Sequence, residues 1–260
     1  MKATKLLTVA LAAALLPTVA GAEDFVWHGS LAAGRTLEVK GVNGSIEATG
    51  GSGQAEVRAV KTARRSDPGS VEIKVIEHTG GVTICAVYPT PSDRLGRANE
   101  CQPGEGGRMN TRDNDVQVKF IVKVPAGVRF TAKTVNGGID AKGLEADVLA
   151  HTVNGSVRLE TGGRAEAQTV NGSIDASMGR ADWDGKNEFK TVNGAIHLDL
   201  PGDVSTQVSA KTVNGDIETD FPLTVKGRFS RRSLQGTIGG GGGRELELET
   251  VNGGIRLSRR

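Results

Sequence analysis

The chain is predicted to be all-β: a β-solenoid (β-helix) of about seven coils with stacked Asn-Gly corners, capped by a wider N-terminal β region. Three observations predict it. Thr-Val-Asn-Gly, one further residue and then Ile or Val recur from Thr134, Thr152, Thr169, Thr191, Thr212 and Thr250, and a copy without Thr spans 42–46. From Asn136 onward the steps are 18, 17, 22, 21, 21 and 17 residues, counting Gln235 of a worn copy at 234–238, and a period near 20 marks a stacked repeat. Aromatic residues are only 3% while glycines number 37, which suits a thin interior of Val, Ile, Leu and Ala.

Each repeat has its own logic. Apolar and polar residues alternate into the motif, as in Val148, Ala150 and Thr152, and this is the period of a strand with one buried face. Val135, Val153 and Val251 take the opposite parity, so the chain must bend there or turn its next side chains outward. The bend is expected at Asn-Gly, since Gly accepts positive φ and Asn tolerates it. The predicted corners are Asn43-Gly44, Asn136-Gly137, Asn154-Gly155, Asn171-Gly172, Asn193-Gly194, Asn214-Gly215 and Asn252-Gly253. Asn-Gly is also a strong hairpin signal, so an antiparallel β meander or sandwich is the alternative. Seven literal copies favour stacking, where Asn lies over Asn and side-chain amides can bond along the pile. A 20-residue coil has a perimeter of about 65 Å, and seven coils make a rod about 35 Å long.

Along the chain, residues 1–22 read as a signal peptide: Lys2 and Lys5, an apolar run over 6–16, and an Ala-Gly-Ala site cut after Ala22. That run is too short for a membrane span, no later stretch reaches the length of one, and the mature protein is expected in the periplasm or outside the cell. Residues 23–127 form the N-terminal β region, with a lead-in at 23–40 and strands at 55–60, 71–76, 82–88 and 116–124 between polar linkers 64–69 and 90–115. This region continues the sheet as wider coils or caps the stack as a half-sandwich. Residues 128–260 carry the regular repeats, forming one continuous domain with 23–127. They are interrupted by an insertion at 178–188, an irregular stretch at 221–222 and 228–232, and five glycines at 239–243.

Removing Lys2 and Lys5 takes 32 basic residues to 30, against 30 acidic, and this neutral balance argues against nucleic acid as a partner. In an oxidising compartment the pair Cys85 and Cys101 reads as a disulfide tying off the loop between them. No Gly-x-Ser-x-Gly elbow, phosphate loop or calcium nonapeptide is present, and His28, His78, His151 and His197 lack metal-ligand spacing, so no cofactor or metal is assigned. The residues after each Ile or Val are Asp140, Arg158, Asp175, His197, Glu218 and Arg256. Stacked at about 4.8 Å they form a ladder of mostly alternating sign, unlike the same-sign carboxylates of a polysaccharide-cleaving enzyme. Trp183, between Asp182 and Asp184, is the one candidate aromatic contact, set against the weightier reading of a loop Trp folded back over an open coil.

The Thr-Val-Asn-Gly-x-Ile repeats, following a strand like 116–124 and Pro125-Ala126-Gly127, resemble the bacterial putative-adhesin family of unknown function. The resemblance spans roughly 37–257 and implies a secreted or envelope-associated β-solenoid without a catalytic motif. The expected function is a non-enzymatic, adhesin-like binding or scaffold protein that presents a repetitive β face to a polysaccharide or envelope protein. The rivals are a polysaccharide-active lyase or hydrolase using Asp140, Asp175 or Glu218, and a structural component of an envelope stress response.

Overall fold

The computed structural model describes residues 25–91, 98–225 and 230–260. The predicted signal peptide lies outside them, as do residues 92–97 of the second polar linker and 228–229 of the second irregular stretch. In chain order the first strands are β1 (Phe25–Gly29), β2 (Thr36–Lys40), β3 (Ile46–Gly51), β4 (Ala55–Thr62), β5 (Glu72–His78), β6 (Gly81–Val87) and β7 (Gln117–Pro125). Then come β8 (Arg129–Lys133), β9 (Ile139–Leu144), β10 (Val148–His151), β11 (Val157–Thr161), β12 (Ala165–Gln168), β13 (Ile174–Met178), β14 (Lys186–Lys190) and β15 (Ile196–Leu200). The last are β16 (Thr206–Lys211), β17 (Ile217–Thr219), β18 (Leu223–Val225), β19 (Ser233–Ile238), β20 (Glu245–Glu249) and β21 (Ile255–Arg259).

Two sheets enclose the interior. The first runs β1-β4-β7-β3-β9-β11-β13-β15-β21-β17 and the second β18-β19-β16-β20-β14-β12-β10-β8-β2-β6-β5. Seven rungs, each one strand of either sheet joined at an Asn-Gly corner, pair in parallel from β2/β3 to β16/β17, so the chain is a solenoid and not a meander. β6 and β7 extend the stack in parallel on β2 and β3, and antiparallel strands close both ends: β5, β4 and β1 at one, β19 and β18 at the other. The N-terminal region thus holds features of both expectations: β6 and β7 stack as a wider coil on β2 and β3, and β5, β4 and β1 add antiparallel strands beyond it. β2 and β3 themselves stack directly on β8 and β9, although 77 residues separate Gly51 from Arg129.

The rungs are not stacked in sequence order. The last coil, β20/β21, inserts between β14/β15 and β16/β17. Nor is 234–238 a worn corner: it lies in β19, an unbent strand antiparallel to β16, with Gly236 opposite Val208.

The corners stack as one ladder, bridged from Asn43 through Asn136, Asn154, Asn171, Asn193 and Asn252 to Asn214. Each Asn Nδ2 donates to the Oδ1 of the Asn before it, at 2.7–2.9 Å. Each motif Thr is buried, and its hydroxyl donates to the corner Gly carbonyl of the neighbouring rung, as Thr152 does to Gly137 at 2.8 Å. The expected reason for glycine needs correcting. No Asn has positive φ, and only Gly44 (126°) and Gly253 (154°) among the corner glycines lie in the left-handed range. Glycine is required because the rungs touch here, and a Cβ on Gly155 would stand 2.2 Å from the Gly137 carbonyl oxygen.

Inside, columns such as Ile46, Ile139, Val157, Ile174, Ile196, Ile255 and Ile217 form one apolar core with the opposing columns of the second sheet. Among the described inward-facing polar residues one has an atom without a partner. Asn187 on β14 is fully buried beside Leu246, its Nδ2 3.5 Å from the Met178 sulfur and its Oδ1 without a partner. A buried unpaired carbonyl costs about 1–3 kcal/mol. Asn187→Leu is therefore expected to raise the unfolding free energy by about 1 kcal/mol or more, measured as a higher urea midpoint at unchanged slope.

Candidate binding face

The outward side chains of the first sheet form the ladder that the repeats anticipate, in the corrected order. Across the rungs stand Glu47, Asp140, Arg158, Asp175, His197, Arg256 and Glu218. Because β21 precedes β17 in space, Arg256 falls next to His197 and Glu218 closes the row. Ion pairs run along and across it, Lys119–Glu47 at 2.7 Å, Lys142–Asp140 at 2.9 Å and Arg256–Glu218 at 3.0 Å, and the His197 ring lies 3.0 Å from Asp175. These groups are largely exposed, so each pair contributes about 0.2–1 kcal/mol and mainly keeps the face soluble. Over the rungs lies a shallow groove of about 530 Å³, bordered by Lys142, Arg158, Asp175, His197, Arg256 and Arg260.

The carboxylates of the enzymatic rival are kept apart. Asp140 and Asp175 sit two rungs from each other with Arg158 between, and Glu218 is three rungs beyond Asp175. Each already holds a cation or imidazole. No two of them share a reacting centre.

A second charged face lies on the other sheet, away from the column after Ile. On the second sheet Glu188 and Glu247 are in register, and Glu166 stands on the rung before Glu188. Here like charges do stack. Burial, the largest influence, raises the Glu166 pKa above its ordinary value, and the Glu188 carboxylate adds to it. Burial also works to raise Glu188, but hydrogen bonds from Lys186 and Lys190 outweigh it and hold that carboxyl below its ordinary value. Lys186 also pairs with Glu247, and Lys190 reaches Glu188 at 3.1 Å. The acidic column is thus neutralised by lysines of its own strand. A sequence signal existed in the pattern Lys-x-Glu-x-Lys of 186–190, mirrored by the Glu-x-Glu-x-Glu of 245–249.

Cys85 and Cys101 are joined, and the chain beyond Cys101 lies as a strap over the start of this second face. Lys40 Nζ donates to the carbonyls of Gln102, Gly104 and Gly106 at 2.6–3.1 Å, and Lys133 Nζ to Gly104 and to the Glu105 carboxylate. Beneath them Glu38, 4% exposed, accepts from the Thr83 hydroxyl and the Gly104 amide. Burial drives the Lys40 pKa below its ordinary value, while the hydrogen bond from Lys133 lowers that of Glu105.

Trp183 is not the exposed contact that its polar neighbours suggested. It is 5% exposed and packs into the core, its indole N–H donating to the Glu245 carbonyl at 3.2 Å. The insertion widens the coil before β14, and the ring fills that width. Most of the large apolar residues left outside are motif valines: Val135, Val153, Val170, Val192, Val251 and Val213 are 37–55% exposed in a ridge beside the Asn ladder. The four histidines are scattered. His28 lies 3.9 Å from Glu56, His78 approaches Thr83 at 3.3 Å, His197 pairs with Asp175, and His151 keeps a buried Nε2 without a partner. Among the described residues no three metal-binding side chains converge.

The chain is similar in fold to two crystal structures at low identity. One is a putative cell adhesion protein from Clostridium sporogenes, with 10% identity, 92% of this chain and 100% of that one covered, and a TM-score of 0.49. The other is a putative adhesin from Bacteroides fragilis, with 11% identity, 92% and 97% covered, and a TM-score of 0.40. No curated protein matches the chain. The Toastrack DUF4097 profile matches residues 30–258. With its ladder of Asn-Gly corners and nearly its whole described length inside that match, the chain belongs to the Toastrack DUF4097 family.

Proposed function

We propose that this protein is a non-enzymatic binding or scaffold protein outside the cytoplasm, and that it presents the outer face of its first sheet to a polysaccharide. The observation that carries this reading is the rung-spaced row of charges bordering the open groove, in which no two carboxylates share a centre. A rigid row repeating every rung suits a polymer with a repeating unit, and Arg158, Arg256 and Arg260 offer cations to its acidic groups. One further fact supports the compartment: the disulfide fits an oxidising environment.

A glycan array carrying acidic and neutral polysaccharides, run beside a pull-down from envelope extracts, tests the reading. Acidic polysaccharides are expected to bind, and Arg158→Ala with Arg256→Ala to weaken binding about tenfold or more at unchanged stability. Capture of an envelope protein alone would replace the polysaccharide as partner. Incubation with pectin, alginate and glycosaminoglycan tests the rival: new chain ends abolished by Asp175→Asn would make the protein an enzyme.

A further inference from the structure

We infer that the outer edge of β1 is a self-association surface, through which two copies of this chain pair β1 against β1 in an antiparallel dimer. A solenoid ends in strands whose outer backbone groups can recruit another strand, and such edges are ordinarily blunted. Three of the four terminal strands here are. β17 and β18 have three residues each, and the Ile217 amide of β17 already donates to the Arg231 carbonyl at 3.0 Å. β5 sets charges along its length, with Glu72, Lys74 and Glu77 exposed and Lys74 3.4 Å from Glu72.

β1 has none of these devices. Its sequence Phe-Val-Trp-His-Gly carries no Lys, Pro or carboxylate, and its register on β4 is unbroken from Phe25↔Ala59 to Gly29↔Ala55. Among the described residues no strand lies on its other side.

The strand is also complementary to itself. In an antiparallel pair centred on Trp27, Phe25 of one copy stands opposite Gly29 of the other, and Val26 opposite His28. Phe25 and Trp27 pack against the end of the core yet remain half exposed, and Val26 is 47% exposed. The Trp27 ring already lies over Gly29, where a Cβ would come 2.2 Å from it, so the position facing Phe25 is kept clear of a side chain. A second copy would cover both aromatic edges and continue the ten-stranded sheet across a two-fold axis. For the polymer reading above, two charged faces would then lie in one assembly and bind a long chain with added avidity. The pairing itself does not depend on that reading.

Sedimentation equilibrium on residues 23–260, from about 1 µM to about 1 mM, the affinity range of small interfaces, tests the inference without any ligand. The expected mass rises to twice that of one chain, and Val26→Lys, with unchanged circular dichroism, returns it to one chain throughout. A single mass at every concentration, or a dimer that Val26→Lys leaves intact, would overturn it. Hydrogen exchange on the unaltered protein gives a second reading should the variant fail to fold. Amides within 25–29 should gain protection as concentration rises, whereas protection independent of concentration would mean that the chain covers its own edge, which also overturns the inference.

Discussion

Gly155→Ala is expected to lower the unfolding free energy by about 3 kcal/mol or more, the upper part of the range for an overpacked interior. The added Cβ would sit 2.2 Å from the Gly137 carbonyl oxygen and 2.5 Å from its carbon, and both are backbone atoms that cannot swing aside. The rungs must therefore separate locally. That strains the Gly137 amide bond to the Asn154 carbonyl (2.9 Å) and the Thr152 hydroxyl bond to the Gly137 carbonyl (2.8 Å). Gly34→Ala is the control. Gly34 has φ 80° with nothing within 4 Å of a Cβ, so it carries only the left-handed penalty of about 1–2 kcal/mol. Urea unfolding of both variants separates the causes: equal costs would mean that conformation, and not contact between rungs, selects glycine at the corners.

Removal of the disulfide is expected to cost about 3 kcal/mol on the chain-entropy account, since Cys85 and Cys101 are 16 residues apart. The loss should be local in structure. The strap beyond Cys101 would leave the second sheet, freeing Lys40 from its three carbonyls and Lys133 from Glu105, while the seven rungs keep their own hydrogen bonds. Cys85→Ser with Cys101→Ser should therefore retain the β circular dichroism of the parent. At the same time Lys40 and Lys133 should become open to amine-reactive labelling. Collapse of the β signal would mean that the strap, and not the corner ladder, organises the stack.

Much of this was legible in the sequence because a stacked corner imposes the same demands on every rung. Asn must bond to Asn, Thr must reach a carbonyl, and Gly must admit a neighbour, so the four letters recur. The same uniformity hid the order of the rungs. Nothing in a Thr-Val-Asn-Gly corner distinguishes the neighbours at Asn193, so insertion of Asn252 before Asn214 left no trace in the spacing. The segment 234–238 misled because Gln-Gly resembles a corner in letters, whereas its alternation of buried Leu234, Gly236 and Ile238 is that of an unbent strand. Trp183 left two readings open for a different reason. Flanking aspartates describe the loop, while the burial of the ring depends on the width of a coil that only the fold sets.

The inserted final coil has a temporal consequence. Strands β16 and β17 find their parallel neighbours only in β20 and β21, the last two strands of the chain. As residues emerge from a ribosome or an export pore, the first five rungs can zip together in order, but the sixth to be synthesised must wait, unseated, for the seventh. A chain that stops short of residue 245 would strand one coil with no berth, exposed to proteases. The inserted coil thus acts as a built-in check that the repeat array has been made through β21.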